Sequence, residues 1–336
     1  MAIPERLISN DQLAADLGVD SAWIAKRTGT RERPWASGEE RLSELAARAG
    51  RAALEQAAVE SGELDLVLVA TSTADEITPN AAPLVAGLIG ARRAGALDVG
   101  AACTGWLSAL AMACGQIESG RAAHALVVGA DFLSRFLDIS DRDTAPLFAD
   151  GAGAAVVSAT ESPDGRIGPI VLRADHSRSH LIRLGRGDHI RMDGQESFRA
   201  AVASMTHVTT EALEASGCRL ADIDLFVYHQ ANSRIIRAVG QRLGLPADRV
   251  VDYVGRFANA STATLPIALT VARSEGRLAA GHRVLLAAFG GGLTWGGTVV
   301  DWAAPATGPV ASAAGAASSA AAAAAAAAQP SVTPTV

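Results

Sequence analysis

Ala101-Ala102-Cys103-Thr104-Gly105-Trp106 sets one cysteine among small residues, between a strand-like run at 94–100 and a helix-like run at 107–118. A side chain on a sharp strand-to-helix turn is exposed, and the first helical N–H groups and the helix dipole point toward it. That setting predicts a favoured thiolate and donors for an oxyanion. A cysteine in small-residue surroundings is also ordinary packing. The weight therefore falls on two downstream stretches, Tyr228-His229-Gln230-Ala231-Asn232 and Phe257-Ala258-Asn259-Ala260-Ser261.

Around these turns, short apolar runs alternate with helical patterns, which predicts α/β layering. Strands are expected at 64–70, 125–130, 154–158, 225–228 and 284–289, and helices at 41–59, 103–119, 195–215, 233–243 and 262–275. The order of the pieces repeats. A Leu-Asp-Leu-Val strand, the Cys103 turn and His124-Ala125-Leu126-Val127-Val128 match Asp224-Leu225-Phe226-Val227, the Asn259 turn and His282-Arg283-Val284-Leu285-Leu286. Asp65 precedes Cys103 by 38 places and Asp224 precedes Asn259 by 35. So long a period predicts domain duplication, with Cys103 and Asn259 on equivalent turns across a pseudo-twofold axis. The expected halves are 1–165, carrying the cysteine, and 166–302, carrying the histidine and asparagine. The charge-free Ala/Ser/Pro/Thr segment 303–336, with nine alanines at 320–328, reads as a disordered tail.

The 336 residues are 49% hydrophobic and 19% charged, the balance of a globular protein with a large core. A net charge of −6 argues against general nucleic-acid affinity. Cys103, Cys114 and Cys218 are widely spaced with no CxxC, which predicts reduced thiols in a cytoplasmic enzyme and neither a disulfide framework nor a zinc site. No segment reads as a signal peptide or a membrane span. Asp150-Gly151-Ala152-Gly153 lacks the third glycine of a dinucleotide fingerprint, and no Walker A sequence is present. His176 and His180 have helical metal-ligand spacing but sit in what reads as a polar loop, so no metal site is expected.

Six motifs in order give the chain a family resemblance. They are Trp23 to Arg33 (WIAKRTGTRER), the Cys103 elbow, Phe148 to Ala155 (FADGAGAA), Met192-Asp193-Gly194, His229 to Ile236 (HQANSRII) and Phe289 to Gly296 (FGGGLTWG). From about residue 10 to 302 the sequence resembles the β-ketoacyl-acyl-carrier-protein synthase III family. The resemblance implies a thiolase-like duplicated α/β fold, layered αβαβα, and a homodimer. It implies that Cys103 takes an acyl group from acyl-CoA. Decarboxylative Claisen condensation with malonyl-acyl-carrier protein follows, starting a fatty acid or polyketide chain. By motif match, His229 and Asn259 donate to the malonyl thioester carbonyl, and the N–H groups of Cys103 and Gly291 form the oxyanion hole. Trp23, Arg27 and Arg142 match positions that hold the adenine of CoA, and Asn232 one that contacts pantetheine. Thr78 stands at the acyl pocket, completed by a partner subunit. Arg234 and Arg237 are expected to meet an acidic carrier protein. No metal or redox cofactor is implied.

Three departures qualify these expectations. The family opens with a glycine-rich strand before the Pro-Glu that here is Pro4-Glu5. That strand is expected inside the first sheet, so its loss predicts exposed ladder groups. The family's Gly-Asn-Thr-Ser is Ala258-Asn259-Ala260-Ser261 here. Alanine disfavours a positive φ, and a turn requiring one would displace the Asn259 amide. Thr78, where some relatives carry a bulky aromatic, and the short 174–192 segment predict a roomier or reshaped acyl pocket. Competing readings are an acyltransferase that passes the acyl group from Cys103 to an alcohol or amine, and a non-catalytic partner subunit. Retention of Cys103, His229 and Asn259 together favours condensation.

Overall fold

A computed structural model describes residues 1–160 and 165–303. Apart from Ala303, the expected tail lies outside the described residues. The chain opens with β1 (Leu7–Ser9), α1 (Asn10–Leu17), α2 (Ser21–Thr28) and β2 (Glu32–Pro34), with β1 antiparallel to β2. Ser9 and Gln12 form a capping box on α1, and Asp20 caps α2 through the Trp23 N–H. The first half follows with α3 (Leu42–Ala57), β3 (Leu66–Ala70), α4 (Ala81–Ile89), β4 (Gly95–Val99), α5 (Gly105–Glu118), β5 (His124–Phe132) and β6 (Asp150–Ser158). The second contains β7 (Val171–Ala174), the short pair β8 (Ile182–Arg183) and β9 (Arg191–Met192), α6 (Gly194–Ala215) and β10 (Leu225–Tyr228). It ends with α7 (Ser233–Leu243), α8 (Val254–Phe257), α9 (Thr264–Ser274), β11 (Arg283–Gly290) and β12 (Thr294–Asp301).

Two mixed sheets, ordered β4-β3-β5-β6 and β10-β11-β12-β7, stack with helices between and outside them. The period-2 alternation of strand side chains produces the layers. On β3 and β5, Val67, Val69, Leu126 and Val128 turn outward to α3 and α4. Leu68, Ala70, Ala125 and Val127 turn inward, to a core shared with Trp106 and Leu107 of α5, Leu265 and Ile267 of α9, and Val227 and Leu286 of the second sheet. Phe226, Tyr228, Leu285 and Ala287 face the far side, under α6 and α7. The expected αβαβα layering is present, and α5 and α9 fill its centre.

The duplication has an internal ruler. One shift of 159 places carries Ser61 to Leu220, Leu66 to Leu225, Gly105 to Thr264 and His124 to Arg283, each the first residue of its element. The shift corrects the expected equivalence of Cys103 with Asn259. The 3-10 turn Ala102–Thr104 before α5 matches Ser261–Ala263 before α9, so Cys103 corresponds to Thr262, and Asn259 lies three residues earlier. Backbone angles agree: Ala102 has φ 44° and Ser261 φ 47°, a matched pair of left-handed residues at the two elbows.

The first sheet supplies a second correction. Ala2 exchanges both backbone hydrogen bonds with Ala152 of β6, at 2.8 and 2.9 Å, on the outer side of the sheet's last strand. In the second half β7 holds the matching place beside β12. The N-terminal run thus pairs on the outer edge of β6 and not between strands of the sheet; β3, β5 and β6 stay laddered to one another, while the outer side of β6 beyond Ala152 has no strand partner among the described residues. The 176–181 segment is a 3-10 turn and not an open loop.

Candidate active site

The nucleophile elbow is built by close approach. β4 ends at Val99, the chain reverses through the left-handed Ala102, and α5 begins at Gly105. A Cβ on Gly105 would press within 3.1 Å of Thr262 and 3.2 Å of Ala70, so glycine lets α5 start against the second half's elbow. A Cβ on Gly290 would lie 2.8 Å from the Cys103 nitrogen, which seats the Gly290–Gly292 loop on the nucleophile. Gly291, the expected oxyanion partner, packs against Ile182 of β8.

The expectation of a favoured thiolate is not met in the resting site. Burial pushes the Cys103 thiol up to about 11. A hydrogen bond from Ser261 opposes that shift, and the nearby Asp131 carboxylate adds to it. Cys103 sits in the 3-10 turn ahead of α5 rather than within the helix's first turn, and burial is the largest influence on its thiol.

His229 follows β10 and is 1% exposed. Its N–H donates to Ala287 O at 2.8 Å, continuing the β10–β11 ladder, and its Nδ1 lies 2.6 Å from Thr264 Oγ1. Burial pulls the imidazole down to about 3, so the ring is neutral at physiological pH.

Asn259 is held in place despite the changed turn. Its N–H donates to Leu147 O and its carbonyl accepts from Ala149 N–H, both at 3.0 Å, while its Oδ1 accepts from Ser261 N–H at 2.9 Å. The turn does require a positive φ, and Ala258 adopts it at φ 49°, ψ −151°. The expected displacement does not occur; the alanine carries the strain instead. With Oδ1 engaged, Nδ2 remains as a donor that makes no hydrogen bond among the described residues.

Ser261 stands next to all three residues. Its N–H holds Asn259, its side chain acts to lower the Cys103 thiol, and its carbonyl accepts from Thr264, which reaches His229. Asp131 supports this turn from β5. Its Oδ1 accepts from Thr71, Ser72 N–H and Thr73, and its Oδ2 from the N–H and hydroxyl of Thr262. Neither Asp131 nor Thr264 stands out in the sequence. The 159-place shift, applied to the residues flanking Cys103, is the signal that leads to 261–264.

The proposed nucleotide positions gather at another place. Arg27 stacks over Trp23 with 5.1 Å from its guanidinium to the ring centre and pairs with Asp143 at 2.7 Å. Arg142, next to Asp143, donates to Leu17 O and Gly18 O. Asn232 caps α7 through Arg234 N–H and donates to Arg27 O at 3.3 Å, which links this cluster to the segment after His229. Thr78 lies exposed on the surface. Arg234 and Arg237 occupy the exposed face of α7, with Arg234 over Phe198 at 5.3 Å. Among the described residues no group of three or more His, Cys, Asp or Glu side chains is placed to hold a metal ion, and no helix is long and apolar enough to cross a membrane.

Known proteins share this fold. Residues 97–176 match the model of 3-oxoacyl-[acyl-carrier-protein] synthase III, and residues 213–302 match that of its C-terminal part. The β-ketoacyl-[acyl-carrier-protein] synthase III of Paramagnetospirillum magneticum is 43% identical over 309 residues, covering 89% of this chain and 95% of the relative. The crystal structure of 3-oxoacyl-[acyl-carrier-protein] synthase III from Aquifex aeolicus superposes with a TM-score of 0.87 at 38% identity, covering 90% of this chain and 97% of that one. The priming β-ketosynthase of the R1128 polyketide pathway superposes with a TM-score of 0.86 at 35% identity, covering 90% and 94%. The chain belongs to the 3-oxoacyl-[acyl-carrier-protein] synthase III family.

Proposed function

We propose that the protein is a β-ketoacyl-acyl-carrier-protein synthase III that condenses an acyl group on Cys103 with malonyl-acyl-carrier protein. The observation that carries this reading is the turn at Ser261, which holds the Asn259 amide and, through Thr264, the neutral histidine in one hydrogen-bonded unit beside the Cys103 elbow.

The Cys103 thiol gives up its proton as sulfur attacks the acyl-CoA carbonyl, the oxyanion meets the N–H groups of Cys103 and Gly291, and CoA leaves as the thiol. Malonyl-carrier protein enters, and its carboxylate departs as carbon dioxide. The electron pair of the broken bond becomes an enolate whose oxygen is met by His229 and Asn259 Nδ2. A neutral imidazole suits this step, since a donor placed where charge develops lowers the barrier without holding the substrate carboxylate in place. The enolate carbon then attacks the acyl-cysteine and expels the Cys103 thiolate, which takes one proton from solvent because its own left with CoA.

Trp23, Arg27 and Arg142 form the proposed seat for the CoA nucleotide, with Asn232 toward pantetheine. A stacked guanidinium and indole offer a flat face for a base, and arginine also suits phosphate. We assign the protein as a homodimer joined at the free edge of β4, where Leu97 is 37% exposed, with Met112 of α5 exposed at 43%. In this dimer the exposed Ile77-Thr78 segment would complete the partner's acyl pocket. Three free cysteines fit the reducing cytoplasm.

Intact-protein mass spectrometry with a panel of acyl-CoAs, followed by malonyl-carrier protein, tests the reading. A Cys103-dependent adduct that clears with carbon dioxide release and a β-ketoacyl-carrier product supports it. An adduct that malonyl-carrier protein fails to clear overturns it in favour of acyl transfer.

A further inference from the structure

Arg27 turns its guanidinium to the proposed nucleotide seat, and a carboxylate already stands on it. Arg27 Nη2 meets Asp143 Oδ1 at 2.7 Å, both side chains being 47% exposed, while the same guanidinium lies 5.1 Å from the centre of the Trp23 ring. Asp143 is held where it is. Its N–H donates to Asp141 Oδ1 at 3.0 Å, and Asp141 Oδ2 accepts from the Thr144 hydroxyl. Its own Oδ1 lies 3.8 Å from where a Cβ on Gly194, the first residue of α6, would stand. That helix runs for 22 residues, and its positive end suits a carboxylate. Arg142, the other arginine of the seat, spends Nε on Leu17 O at 2.7 Å and Nη2 on Gly18 O at 3.1 Å, at the C-terminal end of α1. The cation that the seat offers a phosphate is therefore chiefly Arg27, in a neutralised form.

We infer that Asp143 is a specificity-determining residue for the acyl donor: it holds the place of a donor phosphate on Arg27 and weakens the grip of the seat on the CoA nucleotide. The inference rests on the acyl-CoA reading above, in which Trp23 and Arg27 receive that nucleotide. Seating the phosphate asks two things of the pair. Arg27 must turn from Asp143, which is a small demand because an exposed ion pair in water is weak. The carboxylate must then stay beside a like charge, since both would share one guanidinium. That separation falls inside the screening length of about 8 Å at physiological salt, so the repulsion persists in the complex.

The test is equilibrium binding to the full chain by calorimetry, with CoA and pantetheine as probes. Asp143→Asn keeps the size of the side chain and removes its charge. It should tighten CoA about three- to tenfold and leave pantetheine within about twofold. The gain should shrink at high salt. Arg27→Gln should weaken CoA, and Asp143→Asn added to it should give a smaller gain, because no guanidinium is left to contest. Unchanged or weaker CoA binding in Asp143→Asn overturns the inference, making the carboxylate a support for Arg27 and not a rival of the phosphate. Equal tightening of CoA and pantetheine overturns it as well. Absence of CoA binding in both chains overturns it together with the seat, and Cys103 acylation by an acyl-pantetheine, measured separately, then decides the synthase reading.

Discussion

Asp131 on β5 and Thr262 at the second elbow are joined by two hydrogen bonds to one carboxylate oxygen, from the threonine N–H at 3.1 Å and its hydroxyl at 2.9 Å. The bonds cross from the first half of the chain to the second. The carboxylate is fully buried, and its charge also raises the Cys103 thiol. Asp131→Asn separates these effects. It presents an amide N–H₂ where five donors converge, so stability should fall by about 1–3 kcal/mol in a urea titration. Removing the charge should also move the pH profile of Cys103 alkylation by iodoacetamide to lower pH. A profile that stays put would show that the carboxylate acts on the fold alone.

Ala258 holds a backbone conformation that glycine adopts with little cost, at φ 49°. Ala258→Gly should therefore stabilise the protein by about 1 kcal/mol, the relief of strain exceeding the added freedom of the unfolded chain. Condensation should be unchanged, because Asn259 is already held by its own three hydrogen bonds. Loss of stability on this substitution would contradict the strain.

The two titrating groups of the site predict opposite pH behaviour. With its thiol pushed up to about 11, Cys103 should react faster with iodoacetamide as pH rises from 6 to 9, with no plateau below 9. His229, pulled down to about 3, should put no inflection into the condensation step between pH 5.5 and 8, measured by single turnover from the acyl-enzyme. Its effect falls on stability. The folded pKa lies below the ordinary 6.5, so the unfolded state binds the proton first. Stability is intact above about 6.5 and drains away as pH falls toward 3. His229→Gln should flatten that part of the acid-unfolding curve.

Arg234 stands exposed on α7, one residue after the buried Ser233 and two after the cap Asn232. Arg234→Glu should raise KM for malonyl-carrier protein while leaving malonyl-pantetheine turnover unaltered, with the difference shrinking at high salt. An unchanged KM would remove this arginine from the docking surface.

Much of the architecture was legible because burial writes itself into periodicity. The strands β3, β5, β10 and β11 and the helices α3, α5, α6, α7 and α9 all follow apolar runs or helical stripes. Other elements depend on partners remote in sequence. α4 carries Pro83 in its first turn and is capped by Asp98 of β4, which accepts from Ala81 and Ala82 N–H. β12 hides behind Gly296 and Gly297, which are glycines because a Cβ would strike Leu172 and the Leu286 carbonyl. The reactive trio was readable as motifs: Cys103 and His229 follow strands β4 and β10, and Asn259 lies in the turn after α8. The equivalence of Cys103 with Thr262 was obscured because the Asn259 turn imitates the elbow three residues early. Asp131 and Thr264 belong to common residue types, and only folding brings them beside the trio.

Gly105 and Gly129 both lie against Thr262, where a Cβ would fall within 3.1 Å and 2.4 Å of its atoms. The reactive centre is thus a property of the seam between two similar bodies, owned by neither. A slight parting of the halves would separate Asp131 from Thr262 and Ser261 from Cys103 while each sheet kept its own ladder. On heating, condensing activity should vanish several degrees before helix and strand content does, and an enzyme silenced that way should recover on cooling as the halves close again.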